Sequence, residues 1–111
     1  RERSIFATLS AKVGSIGDNR LGGWYSYRAS KAALNMMVKT AAIEVARTHP
    51  HTVLCALHPG TVKSALSAPF NGHELGRDPG AAAADLLKVM DGLTPADSGG
   101  FFAYDGQRLP W

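Results

Sequence analysis

The 111-residue sequence contains one cysteine, Cys55, so no internal disulfide is available, and a reducing, cytoplasmic setting is expected. No Cys/His pair has the spacing of a zinc site, and His49, His51, His58 and His73 include no helical i, i+4 pair, so no metal is expected. Uncharged apolar runs are short of the ~20 residues a membrane-spanning helix needs, which excludes that class. Aromatic residues make up 8% of the chain and Lys and Arg occur singly, so a basic patch interleaved with aromatics is missing and nucleic-acid binding is not expected. Initiating methionine, internal repeats and a Gly-x-Gly-x-x-Gly fingerprint between a strand and a helix are missing too.

What is present is unevenly charged. Residues 1–63 hold nine basic and three acidic side chains, net +6, whereas residues 64–111 hold three basic and six acidic, net −3. An anionic ligand belongs with the first part. The run Ser4 to Ser10 is β-prone and leads into a Gly-rich polar loop through Gly14, Gly17, Gly22 and Gly23. A helix is predicted over Ser26 to Thr48, apolar around most of its circumference and stopped by His49-Pro50. Thr52 to Leu57 reads as a strand covered on both faces, ended by His58-Pro59-Gly60. Asp78-Pro79 caps a second helix to Met90, and Gly100 to Tyr104 forms a third strand. The order β-α-β-α-β predicts an α/β fold, one half of a Rossmann-like doubly wound parallel sheet.

The informative spacing is Tyr27 and Lys31, four residues apart at the start of the first helix and therefore on one face. A phenol near its ordinary pKa of ~10 exchanges protons poorly at neutral pH, and a neighbouring ammonium favours the phenolate. Such a pair suits proton transfer to a carbonyl oxygen while hydride reaches carbon. By itself the spacing is common, but its place behind a Gly-rich loop that follows a strand makes it more specific.

With these motifs the sequence resembles the short-chain dehydrogenase/reductase family, in particular its C-factor-like and sniffer-like carbonyl reductases. The resemblance is carried by Leu9 to Asn19, by Gly22 to Asn35 and by Leu57 to Ser64, and it runs from Ile5 to Gly106. It implies that residues 1–111 are the carboxy-terminal, catalytic half of one Rossmann-type domain, the amino-terminal dinucleotide-binding half lying outside them. It further implies an NAD(P)-dependent reductase of a ketone or aldehyde, with Tyr27 as general acid/base and Lys31 tuning it and holding the nicotinamide ribose. The family's pair of serines falls on Ser10 and Ala11, and the catalytic one is normally the second. Ser10 is therefore the expected hydroxyl by way of a local twist, with Ser15 as the alternative and a backbone-bound strand-end hydroxyl as the plain reading. Pro59, Gly60, Val62 and Ser64 are the implied cofactor-side turn, with NADP or NAD as cofactor.

Trp24 reads either as a wall of the substrate pocket or as a loop anchor. Cys55 and the methionines read as core or interface. In the family the long helix packs against its twin, which makes a homodimer or homotetramer through Ser26–Thr48 the expected assembly. A reading from a different class is a catalytically inactive piece that acts as a self-associating or interaction module.

Overall fold

Glycine and proline set the element boundaries, and apolar alternation sets the faces. The computed structural model of the chain describes residues 3–60 and 78–111. Strand β1 spans Ser4–Leu9, helix α1 Tyr25–Ala46, strand β2 Thr52–His58, helix α2 Pro79–Gly92 and strand β3 Phe101–Ala103, with single 3-10 turns at Lys12–Gly14 and Pro95–Asp97. The strands form one parallel sheet in the order β1-β2-β3, with Ser4 opposite Thr52 and Ala56 opposite Phe101. This is the expected β-α-β-α-β arrangement.

The two helices cover opposite faces. On one, Val38 of α1 packs with Ala56, Phe101, Ala103 and Leu109, with Leu34 and Trp111 against them. On the other, Val53, Cys55, Leu57, Leu93 and Phe102 meet Leu86, Val89 and Met90 of α2. Odd-numbered β2 residues thus face α2 and Ala56 faces α1, which is why the strand reads as almost continuously apolar. Burial, and secondarily the carboxylate of Asp97, pushes the Cys55 thiol up to about 11, so it behaves as a small core residue.

Local chemistry explains the ends. Asp78 accepts from the Ala81 N–H at 3.1 Å, and Pro79 occupies the first helical position of α2. Helix α1 stops two residues short of Thr48, because the Arg47 and Thr48 N–H groups bond back only three residues, to Glu44 and Val45. Strand β3 is shorter than expected: the Gly100 N–H turns back to the Asp97 carbonyl, and Tyr104 lies in a turn closed by Gly106 N–H to the Ala103 carbonyl. Among the described residues no helix is long and apolar enough to cross a membrane.

Candidate active site

The carboxyl end of a parallel sheet is where open α/β folds gather their ligands, and the loop after β1 brings α1 to that end. Tyr27 sits in the first turn of α1, 46% exposed. The Lys31 ammonium lies 5.8 Å from the centre of the Tyr27 ring, and among the described residues Lys31 has no carboxylate partner within ion-pair distance. One helical turn thus presents a half-open phenol with a cation beside it.

Gly14 supports that turn. A Cβ on Gly14 would stand 2.8 Å from the Lys31 Cβ, 2.9 Å from the Lys31 carbonyl carbon and 3.1 Å from the Ala32 nitrogen. Two of these atoms are helix backbone, so only glycine lets the loop lie against α1 at Lys31. Gly14→Ala is expected to cost ~1–3 kcal/mol, since overpacking against backbone cannot relax by a rotamer change. Urea unfolding of the variant measures it, and an unchanged midpoint would mean that the loop does not rest on α1.

The two serines lie elsewhere. Ser10, 5% exposed, donates its hydroxyl to Asn35 Oδ1 at 2.6 Å. Asn35 is eight residues beyond Tyr27, about two turns along α1. The Ser10 N–H still bonds to the Leu57 carbonyl at 2.7 Å, so the strand pattern runs on through it and its side chain keeps to the α1 face. Ser15 is fully buried; its hydroxyl bonds to the Pro110 carbonyl and accepts from the Asp18 N–H at 3.1 Å. Both hydroxyls bond within the fold, Ser10 to Asn35 of α1 and Ser15 to the segment before Trp111. Ala11, between them, brings no hydroxyl.

Pro59 and Gly60 follow β2 at the same end of the sheet, half-buried, with Gly60 at φ 78°. That left-handed backbone suits glycine. Val62 and Ser64 lie outside the described residues.

Three residues were not singled out by sequence reasoning. Asn35 continues the i, i+4 series from Tyr27 through Lys31, which is the signal that would have found it; its amide nitrogen is buried and has no partner among the described residues. Arg28 donates to the carbonyls of Gly23 (2.8 Å), Gly22 (3.1 Å) and Val13 (3.3 Å), tying the loop to the start of α1. His58, expected only as a strand end, accepts the Lys12 N–H on Nδ1 at 3.0 Å and stands 6.5 Å from the Tyr104 ring.

Burial, and then the Lys12 ammonium, holds His58 below its ordinary value; Asp105 and Asp18 act weakly the other way. The unfolded chain therefore takes up the proton first. The stability carried by neutral His58 is complete above the unfolded value near 6.5 and is lost as pH falls through it toward the lower folded value. His58→Gln, whose side-chain oxygen can accept from Lys12, is expected to flatten the fall in urea midpoint between pH about 7.5 and about 5.5. An identical pH dependence in both proteins would show that His58 does not carry it.

No family model matches the chain. A curated relative, 1-hydroxy-2-glutathionyl-2-methyl-3-butene dehydrogenase of Rhodococcus, is 43% identical over 93% of this chain and 45% of its own length. Among solved structures, the carbonyl reductase Sniffer of D. melanogaster superposes with a TM-score of 0.83 at 30% identity, over 96% of this chain and 41% of that one. An NADPH-bound carbonyl reductase from chicken fatty liver gives 0.79 at 33% identity, over 96% and 42%. The chain spans about half the length of the curated relatives it matches. By sequence and by fold, the chain is a relative of the short-chain dehydrogenases/reductases.

Proposed function

We propose that the chain carries the acid/base half of a short-chain reductase site that reduces a ketone or aldehyde to the alcohol at the expense of NADPH or NADH. The observation that carries this reading is the Tyr27–Lys31 turn: a half-exposed phenol with a cation 5.8 Å from its ring centre and no competing carboxylate among the described residues.

The residues present fit the nicotinamide end of a dinucleotide. Lys31 offers an ammonium to ribose hydroxyls, and the Pro59-Gly60 turn brings backbone to the carboxyl edge of the sheet without a side chain at Gly60. Contact of Val62 and Ser64 with the cofactor is proposed from the resemblance alone. The hydride that the carbonyl carbon receives is the chemistry a bound nicotinamide supplies. The Tyr27 hydroxyl holds the substrate oxygen by a hydrogen bond and gives it the proton, and Lys31 stabilises the negative charge that this leaves on the phenolate. Ser10 acts at one remove, fixing α1 through Asn35 so that Tyr27 and Lys31 keep their direction.

Exposed Met36, Met37 and Ile43 on α1 support association of two or four copies through this helix. A cytoplasmic setting accords with the buried, unpaired Cys55. The exposed Phe6 and Leu9 along β1 favour the second reading, a self-associating module without catalysis. One experiment separates the two. The full-length protein is mixed with NADPH and a panel of aldehydes and ketones, and loss of NADPH is followed beside formation of the alcohol. Carbonyl-dependent turnover is expected; oligomers that neither bind NADPH nor turn over would favour the module.

A further inference from the structure

Trp24 is the sole non-glycine residue with a positive φ among the described residues, at φ 58°, ψ 41°, directly after Gly22 and Gly23 at 68° and 73°. A bulky side chain in the left-handed region is strained, and such strain persists only where surroundings enforce it. The enforcing group is Arg28, whose guanidinium holds the carbonyls of Gly22, Gly23 and Val13 while its own N–H bonds to the Trp24 carbonyl at 2.9 Å. The result is an indole 51% exposed, its ring centre 6.1 Å from that of Tyr27 and tilted by 56°. Trp111, by contrast, lies stacked on Phe101 at 5.3 Å.

From this geometry we infer that Trp24 is a specificity-determining residue, held by Arg28 as a wall beside the phenol, and that it selects carbonyls bearing a planar aromatic substituent. The inference rests on the reading of Tyr27 as the acid/base. A carbonyl oxygen bonded to the Tyr27 hydroxyl leaves its substituent within reach of the neighbouring indole, where a flat ring gains an offset or edge contact that a puckered ring of equal carbon number does not. Trp24 precedes α1 as its N-cap, and its left-handed backbone sets the indole 6.1 Å from the ring of Tyr27 in the first turn. The carbonyls that would otherwise be free to rearrange in the Gly-rich segment are fixed by Arg28, which keeps the indole from swinging away.

The test compares kcat/KM for benzaldehyde and cyclohexanecarbaldehyde in the full-length protein and in Trp24→Leu, Trp24→Phe and Arg28→Met. The aryl preference is expected to fall on the order of 2- to 10-fold in Trp24→Leu and to persist in Trp24→Phe. Arg28→Met is expected to lose the preference with the indole intact, through KM rather than kcat. A readout independent of turnover is benzamide, planar and not reduced. It is expected to change the fluorescence of the wild-type protein and not of Trp24→Phe, in which the indole beside Tyr27 is gone. An unchanged aryl preference in Trp24→Leu overturns the inference, as does an equal benzamide response in both proteins. Loss of activity toward both aldehydes in Tyr27→Phe tests the underlying reading separately, so a failure of one is not mistaken for a failure of the other.

Discussion

Tyr27→Phe in the full-length protein is expected to lower kcat for carbonyl reduction by ~10²–10⁴-fold, the usual contribution of a positioned acid/base, while NADPH still binds. The substitution removes one oxygen from a ring already half in solvent, so neither the α1 backbone nor the Gly14 contact at Lys31 has reason to move. The geometry sharpens the expectation, since the hydroxyls expected beside the phenol already bond within the fold. Ser10 is bound to Asn35 and Ser15 to Pro110, both buried, and Ala11 has none. A steady-state assay with NADPH titrated by fluorescence checks both parts. Undiminished turnover would remove Tyr27 from the mechanism, and loss of NADPH binding together with turnover would mean that the phenol serves the cofactor rather than the substrate.

Phe101→Ala is expected to cost ~3–5 kcal/mol, a large share of the ~5–15 kcal/mol that holds an ordinary domain together. Phe101 is fully buried and stacked nearly parallel to Trp111, 13° between ring planes, and it packs with Val38 of α1. Its backbone carbonyl also accepts the Leu109 N–H at 2.7 Å, which anchors the segment running to Trp111. Emptying this position therefore opens a cavity between the sheet and α1 and loosens the segment that holds Ser15. Urea unfolding by circular dichroism measures the loss. A midpoint close to wild type would show that α1 and Leu109 collapse into the space.

Much of the architecture was legible because its signals are local. Asp78-Pro79 starts α2 through a cap three residues long, His49-Pro50 follows α1, and the apolar run of β2 states that both its faces are covered. The Tyr27–Lys31 pair was legible for the same reason, being one turn of one helix. What stayed hidden joins distant parts of the chain. Ser10 finds Asn35 across 25 residues and Ser15 finds Pro110 across 95. Neither partner is encoded near the serine, so the sequence does not say where its hydroxyl bonds. The left-handed backbone of Trp24 was hidden as well. Two preceding glycines announce a turn, but the residue that absorbs the strain is chosen by Arg28 reaching back across the loop.

The register of the sheet bears on how the protein is made. Ser4 must find Thr52, 48 residues away, and Ala56 must find Phe101, 45 residues away, so neither strand pairing is local. Helix α1 can form in about a microsecond, whereas closing such long loops falls to the slower, high-contact-order regime. On the ribosome, β1 emerges well before β2. Its six residues carry no charge and no proline, and Phe6 and Leu9 remain exposed even in the finished fold. While α1 is being synthesised, β1 cannot yet pair with β2, and the speed with which β2 arrives sets how long that edge of β1 stays open to a neighbouring chain.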